Sequence, residues 1–476
     1  MNRWWGTLGG AGTLAAVLAT AWILWPRTAG TSRTVEDLPR ISLDGHHRLL
    51  VLAPHEDDET LGPAGLIMAA KAHGLAVRVV IETNGDGYMF ATMEEFHRLF
   101  PTGRDFVRMG GVRQEESLAA LATLGVVPEE VIFLSYPDRG TASLWNTHWD
   151  ARTPFRSPYS NWDHSPYART YNPDAVYAGA DLLGDLRSIL RDFRPDLVVY
   201  PHPFDVHPDH WGLSAFVRLA LALEQSRDAA FRPDSYAYLI HRPDYPEPGG
   251  LKLDGSLFPP SALLKLGGPW LRIDLDAQET SRKWQALQHY RSQLPLLRGL
   301  LERFARRNEL FALVPSAVLE PLAEGNTADP TTWRTADGQP LPPIERDPVK
   351  DFITRDVVPA ADLTALYAAA ALDGRLVVCS QVDGIASREL SYFVRALASG
   401  ETGIVHRAQK ASLARRTDQT PTTAGHFACT QFDLADLGHP DRVFLGSDVH
   451  GTGVGILDQT AWQMVEVRPP DAIAAP

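Results

Sequence analysis

Apolar positions along this chain fall first into short unbroken runs separated by helical spacing, and later into a looser alternation. Leu49 to Ala53 is wholly apolar, as a strand buried on both faces requires, and it ends abruptly on His55, Glu56, Asp57, Asp58 and Glu59. A helical pattern resumes at Thr60 and runs to His73, followed by strand patterns at Val77–Glu82 and Val131–Tyr136 with a helix near Val112–Leu124 between them. Leu182, Leu183, Leu186, Ile189, Leu190 and Phe193 recur at helical spacing before a further apolar strand, Leu197–Tyr200. Helical patterns return at Leu213–Leu223 and Ala277–Arg306. This alternation predicts an α/β fold, a Rossmann-like, mostly parallel sheet with helices on both faces, over residues 46–323. Leu144 to Tyr177 has no period and is rich in Trp, Tyr and Pro, which suits a lid or binding loop.

Past this region the pattern changes. Residues 324–359 accumulate Pro, Thr and Asp and read as a linker. Residues 360–476 hold short alternating segments, from Leu376–Val382 through Trp462–Val467, that predict a smaller, all-β, sandwich-like domain. At the other end, Trp4 to Pro26 carries no charge and has Trp at both ends, which predicts a membrane anchor over residues 4–26 within a 1–45 anchor and tether. The short tail before it favours a catalytic domain on the extracytoplasmic side, although Arg3 precedes the span and Arg27, Arg33 and Arg40 follow it.

A formal charge of −13, with Lys and Arg scattered, excludes an electrostatic grip on nucleic acid. The two cysteines, Cys379 and Cys429, are too few for a cysteine zinc cluster. They either stay as buried thiols or bridge, closing a loop of about 50 residues worth roughly 4 kcal/mol in the chain-entropy model.

The candidate chemistry lies at the strand tips. Ionisable residues at the C-terminal end of a parallel strand sit where open α/β sheets bind ligands. The second tip, Tyr200 to His210, brings His202, Asp205, His207, Asp209 and His210 to the same sheet edge as the first. Pro208 fits a first helical turn, whose dipole helps keep a neighbouring histidine neutral and able to ligate.

His55-Glu-Asp-Asp-Glu59 and Asp205-x-His-x-Asp-His210 resemble the two signature motifs of the N-acetylglucosaminyl-phosphatidylinositol de-N-acetylase (PIG-L/LmbE-like) family. Lesser matches follow in the family's order: Thr83-Asn-Gly-Asp-Gly87, Arg113-x-x-Glu116, Tyr136-Pro-Asp138, Arg194-Pro-Asp196, Lys283 and Arg291-Ser-Gln293. The resemblance implies one Zn²⁺ in the domain, held by His55, Asp58 and His210, and hydrolysis of an N-acetylated amino sugar to the free amine and acetate. It implies Asp57 as general base and a protonated His207 as oxyanion stabiliser and acid for the leaving amine. Arg113, Asp138 and Asp205 are candidates for substrate contact, and Asp209 for orienting a ligand. Two departures stand out: Glu56 replaces the family's usual proline, and Asp205 stands where some relatives have tyrosine.

Other readings of the same residues remain open. Glu59 suits a helix-capping carboxylate, His202 a structural neighbour, and His55-x-Asp57 with a distant histidine a non-haem iron triad. The implied substrate is a cell-envelope or secreted glycan, with a cytosol-facing de-N-acetylase of an N-acetylglucosamine lipid or thiol glycoside as alternative. A membrane-anchored glycan-binding protein without turnover is the alternative of another class.

Overall fold

The computed structural model describes residues 35–266, 268–349, 358–400, 403–413, 425–453 and 455–467. The expected span 4–26 lies outside them, and among the described residues no helix is long and apolar enough to cross a membrane.

The chain divides into two compact units, the first ending at Val314 and the second comprising Ala262–Gly267 and Pro315–Pro476. The first is built on seven strands: β1 (Arg48–Ala53), β2 (Ala76–Thr83), β3 (Val131–Tyr136), β4 (Leu197–Pro201), β5 (Asp234–Tyr238), β6 (Trp270–Asp274) and β7 (Asn308–Ala312). Their order is β3-β2-β1-β4-β5-β7-β6, with β1 to β5 parallel and β7 and β6 antiparallel. The α/β expectation holds. Strand order reverses between β1 and β4, and at that switch point helices diverge and leave a crevice at the strands' carboxyl ends. Both signature motifs lie there.

Several expectations change in detail. The helix expected over 112–124 begins earlier, at Gly103, because the Asp105 carboxylate accepts the Thr102 backbone N–H at 2.9 Å and closes the first turn. The helix expected over Ala277–Arg306 is two, Ala277–Leu287 and Leu294–Phe304. Ser292 in the break donates its backbone N–H and hydroxyl to Glu116 at 2.8 and 2.7 Å, which accounts for both of those motif residues together. Lys283 donates to the Leu61 carbonyl and to Glu309, each at 2.7 Å, while Glu309 also accepts the Gly65 and Leu66 amides. This buried pair ties the helix that follows β1 to the far edge of the sheet. Residues 35–45 are not a free tether: Val35, Ile41 and Leu43 are buried, the Ile41 N–H donates to the Arg272 carbonyl of β6 at 3.0 Å, and the Arg272 N–H donates to the Pro39 carbonyl at 2.9 Å.

The second unit has two six-stranded sheets. Leu366, Leu376 and Val378 of one share a core with Val394, Val443 and Leu445 of the other, which is the expected sandwich. The expected 324–359 linker is corrected in its described part. Trp333 and Leu341 are buried in this unit, and Glu345–Arg346 pairs with the strand Leu363–Ala371. Pro and Thr made the segment look like a spacer, but a wholly buried tryptophan and a strand pair fix it to the sandwich. Cys379 and Cys429 face each other across antiparallel strands and are bridged.

Candidate metal and hydrolase site

β1 ends in a turn that the backbone alone would not choose. Asp57 has φ 135°, a region that non-glycine residues rarely occupy. Glu59 holds the strained turn. Its carboxylate accepts the Asp57 backbone N–H at 2.9 Å, the Ser117 hydroxyl at 2.6 Å and the Tyr290 hydroxyl at 2.8 Å. Glu59 is thus neither solvated nor a helix cap; it is the buried clamp that aims the two aspartates before it.

Asp58 Oδ2 is the point of convergence. It lies 3.2 Å from His55 Nδ1 and 3.0 Å from His210 Nε2. The outer nitrogens of both rings face further carboxylates. His210 Nδ1 is 3.1 Å from Asp205 Oδ2, and His55 Nε2 is 3.1 Å from Asp209 Oδ2 and 3.3 Å from Asp138 Oδ1. Asp209 is in turn held by the Arg139 and Thr141 amides at 2.7 and 3.1 Å. Carboxylates behind the distal nitrogens fix ring orientation and tautomer and leave the inner nitrogens as donors.

The donor set fits a zinc ion. Asp58 Oδ1 and both His210 ring nitrogens are buried without a hydrogen-bond partner of good geometry, a state that protein groups do not normally tolerate. Two imidazoles and one carboxylate are ligands that a catalytic zinc takes while keeping a position open. Without a cation the carboxylates hold protons on the rings. Burial opposes it, yet Asp205 and Asp58 push His210 up to about 10, and Asp138, Asp209 and Asp58 likewise raise His55. A dication replaces those protons, so binding is coupled to proton release. The ligand-capable atoms form three overlapping groups, each within 4.8 Å: His55, His207 and His210; Asp58, His210 and His241; and His55, Asp138 and Asp209.

Asp57 points elsewhere, with its carboxylate 3.8 Å from the Arg113 guanidinium. Burial and the neighbouring Asp58 charge push its pKa up to about 8. This division of labour counts against the iron-triad reading, which needs Asp57 at the histidines. The His207 ring packs beside both candidate ligand rings, its centroid 4.8 Å from His55 and 5.3 Å from His210. Burial and the charges of His55, His241 and His210 hold it well below the usual histidine range, which favours a neutral ring over the expected imidazolium. Its Nδ1 accepts the Asp209 amide at 3.3 Å, which places the proton on Nε2.

Two residues expected at the substrate are placed behind the site. Arg113 is buried, donates to the Glu56 and Gly85 carbonyls at 2.7 and 3.1 Å, and pairs with the Glu56 carboxylate at 3.4 Å. The unusual Glu56 is therefore a buried neighbour of Arg113 and does not face the entry, with burial pushing its carboxyl well above the usual range against the pull of the guanidinium. Asp205 is buried too, accepting the Ile240, His241 and His207 amides at 3.0, 2.9 and 3.0 Å besides backing His210. Its three amide bonds leave it nothing to offer a sugar. Asp138 keeps one oxygen toward His55 while the other accepts the Gly87 amide at 2.7 Å. His202 is structural, stacked on Trp270 and held down to about 3 by burial and the Arg242 charge. His241 was not singled out from the sequence because β5, a five-residue strand with mixed polarity, carries a weak signal; its ring lies 4.4 Å from His210. The apolar step Leu239-Ile240 ending on a histidine was the available clue.

The aromatic loop is largely its own support. Trp145 and Trp149 pack on Phe216 of the helix Pro208–Arg227, while Trp162 is exposed.

Residues 50–221 match the family model described as PIG-L: GlcNAc-PI de-N-acetylase. Two curated relatives, both named 1D-myo-inositol 2-acetamido-2-deoxy-alpha-D-glucopyranoside deacetylase, from Mycobacterium sp. strains KMS and JLS, are each 37% identical over 166 residues. That stretch is 34% of this chain and 46% of each relative, so the chain spans about half the length of the curated relatives it matches. Among solved structures, a conserved protein from Thermus thermophilus matches 57% of this chain and 96% of its own, at 22% identity and a TM-score of 0.35. Residues 50–221 of this chain are thus similar to the PIG-L family of de-N-acetylases.

Proposed function

We propose that the chain is a zinc-dependent hydrolase that removes the acetyl group from an N-acetylglucosamine-type amino sugar. The observation that carries this reading is the convergence of His55 Nδ1, Asp58 Oδ2 and His210 Nε2 at one point, with Asp57 beside it and committed to no ligand contact. Held by these three residues, zinc would supply a Lewis acid and lower the pKa of a water to about 7. Asp57, buried and raised toward neutrality, is placed to take the proton of the attacking water. His207 donates from Nε2 to the amide oxygen as negative charge develops there. The proton gained by Asp57 is then available to the leaving amine, because the neutral His207 carries none to spare. Water and the acetamido group become acetate and a free amino sugar. The named activity of the mycobacterial relatives, deacetylation of an N-acetylglucosaminyl inositol, supports this substrate class.

The test is acetate and free-amine release from a panel of N-acetylglucosamine glycosides, including the inositol glycoside. Stripping the metal should abolish release and Zn²⁺ should restore it. Full activity in demetallated protein would overturn the metal reading, and saccharide binding without turnover on any member would leave a glycan-binding protein instead. The same proposal extends to location: residues 4–26 anchor the chain with the domain facing outward, toward a cell-envelope glycan. A reporter at the C-terminus that is active only in the cytosol would redirect the search to lipid or thiol glycosides.

A further inference from the structure

The site is crowded with acids. Glu56, Asp57, Asp58, Glu59, Asp138 and Asp209 all lie buried around the β1 tip, and the nearest buried cation, Arg113, is engaged by Glu56, Asp57 and two carbonyls. Such a pocket repels an anionic substrate unless a cation waits at its mouth. Arg139 is an exposed cation beside these acids. It directly follows Asp138, and its backbone N–H is anchored on Asp209, the carboxylate behind His55. Its backbone sits at φ 60°, in the left-handed region where a long side chain is uncommon. The side chain is exposed and, among the described residues, makes no ion pair. Asp138, the residue before it, accepts the Gly87 amide at 2.7 Å, which brings the Gly87–Tyr88 step beside the Asp138–Arg139 step, and Tyr159 and Tyr88 lie within electrostatic range of the guanidinium. Tyr88 and Tyr159 are both half-buried and come from different segments, the β2 tip and the aromatic loop. Tyr159 is seated by ring contact with Phe106 at 5.5 Å and by its closeness to Gly87, where an added Cβ would stand 3.0 Å from the tyrosine ring. A planar guanidinium with two tyrosines gathered at the same Gly87–Asp138 contact can form a recognition set for an oxyanion, since the fork pairs with two oxygens and phenols supply further donors.

We propose that Arg139, with Tyr88 and Tyr159, is a specificity-determining site that binds a phosphate or carboxylate on the substrate, so that the enzyme acts on an anionic derivative of an N-acetylated amino sugar. This rests on the deacetylase reading of the adjacent centre. The strained backbone keeps the Arg139 N–H on Asp209, while its exposed side chain stays out of the metal cluster. Recognition and metal support thus share one residue but use different atoms.

The experiment compares three substrates with the full chain loaded with zinc: a neutral methyl glycoside of N-acetylglucosamine, N-acetylglucosamine 1-phosphate, and a disaccharide of N-acetylglucosamine with a uronic acid. Wild type should prefer one or both anionic substrates, and that preference should shrink as salt is raised. Preference for the phosphate alone, or for the carboxylate alone, identifies which oxyanion the site takes. Arg139→Gln should lower kcat/KM for the preferred anion relative to the neutral glycoside by about tenfold or more, mainly through KM. Arg139→Lys should recover part of that ratio. Arg139→Gly accepts the same left-handed backbone, so it removes the side chain while keeping the amide on Asp209, and it should match Arg139→Gln. Equal losses on neutral and anionic substrates, or no preference in wild type, would overturn the proposal. Titration calorimetry with glucosamine 1-phosphate separates this from failure of the deacetylase reading. Arg139-dependent binding without any turnover keeps the anion site and removes the reaction, whereas turnover with Arg139-independent binding does the reverse.

Discussion

At the scale of single residues, adjacent aspartates are given opposite work by a strained turn. Asp58 points into the histidines, which pull its pKa well below the usual carboxylate range against the effect of burial. Asp57 points away, is pushed up to about 8, and is the group free to accept a proton. Replacing Asp58 with Asn should therefore lose zinc, measured as metal per chain. Asp57→Asn should keep zinc near one per chain while turnover falls about 10²-fold or more. Loss of metal in the Asp57 variant instead would reverse the two assignments. The pH sign follows from the same contrast. A base must be ionised, so kcat/KM rises with pH through the Asp57 pKa. In metal-free protein the midpoint, followed by carbon NMR of the carboxyl, should lie near 8. A midpoint that stays in the ordinary carboxylate range, about 4, would overturn the assignment of Asp57 as the base.

At the scale of elements, the site depends on loops that carry the proposed ligands and on loops that carry their supports. The tips of β1 and β4 supply His55, Asp58 and His210, and both strands were legible because uninterrupted apolar runs break off at ionisable clusters. The supports were less legible. Ser117 is in mid-helix, Tyr290 follows the helix Ala277–Leu287, and His241 follows β5, so no local spacing links them to the β1 tip. Burial of Asp205 was equally invisible, because an aspartate in a motif looks the same whether it faces a sugar or three backbone amides. Its position makes a distinguishing prediction. Asp205→Asn removes the charge behind His210 Nδ1 and should weaken zinc affinity by about 10- to 100-fold, read by competition with a chelator, as other ligand-orienting carboxylates do. With zinc at saturation the KM for sugar should hardly move. A large KM change at full metal occupancy would return Asp205 to the substrate.

At the scale of the whole molecule, two cores are built on different periodicities, and composition misled the reading where they meet in sequence. Residues 324–349 have the Pro and Thr content of a spacer, yet the indole of Trp333 donates to the Asn326 carbonyl at 2.9 Å and its ring is buried with Leu322, Leu341 and the Cys379–Cys429 pair. One large side chain outweighs the composition of the stretch around it, because burying it offsets the ordering of several loop residues. The disulfide belongs to the same cluster and makes the stability of the second unit depend on redox state. The bridge joins directly opposed residues of Arg375–Val382 and Phe427–Asp433, strands that seven register pairs already hold together. Reduction should therefore leave the native pairing in place and act on the unfolded chain, which regains the freedom of a loop with a sequence separation of 50. The chain-entropy model sets that effect at about 4 kcal/mol, equivalent to about a thousandfold faster exchange of amides that open only by unfolding of the unit. Hydrogen exchange should show this acceleration in the sandwich strands after reduction or in a Cys379→Ala, Cys429→Ala double variant, with β1 and β4 unchanged. Acceleration confined to the few residues beside the cysteines would show that the bridge secures one edge of the pair and not the core that Trp333 shares with it.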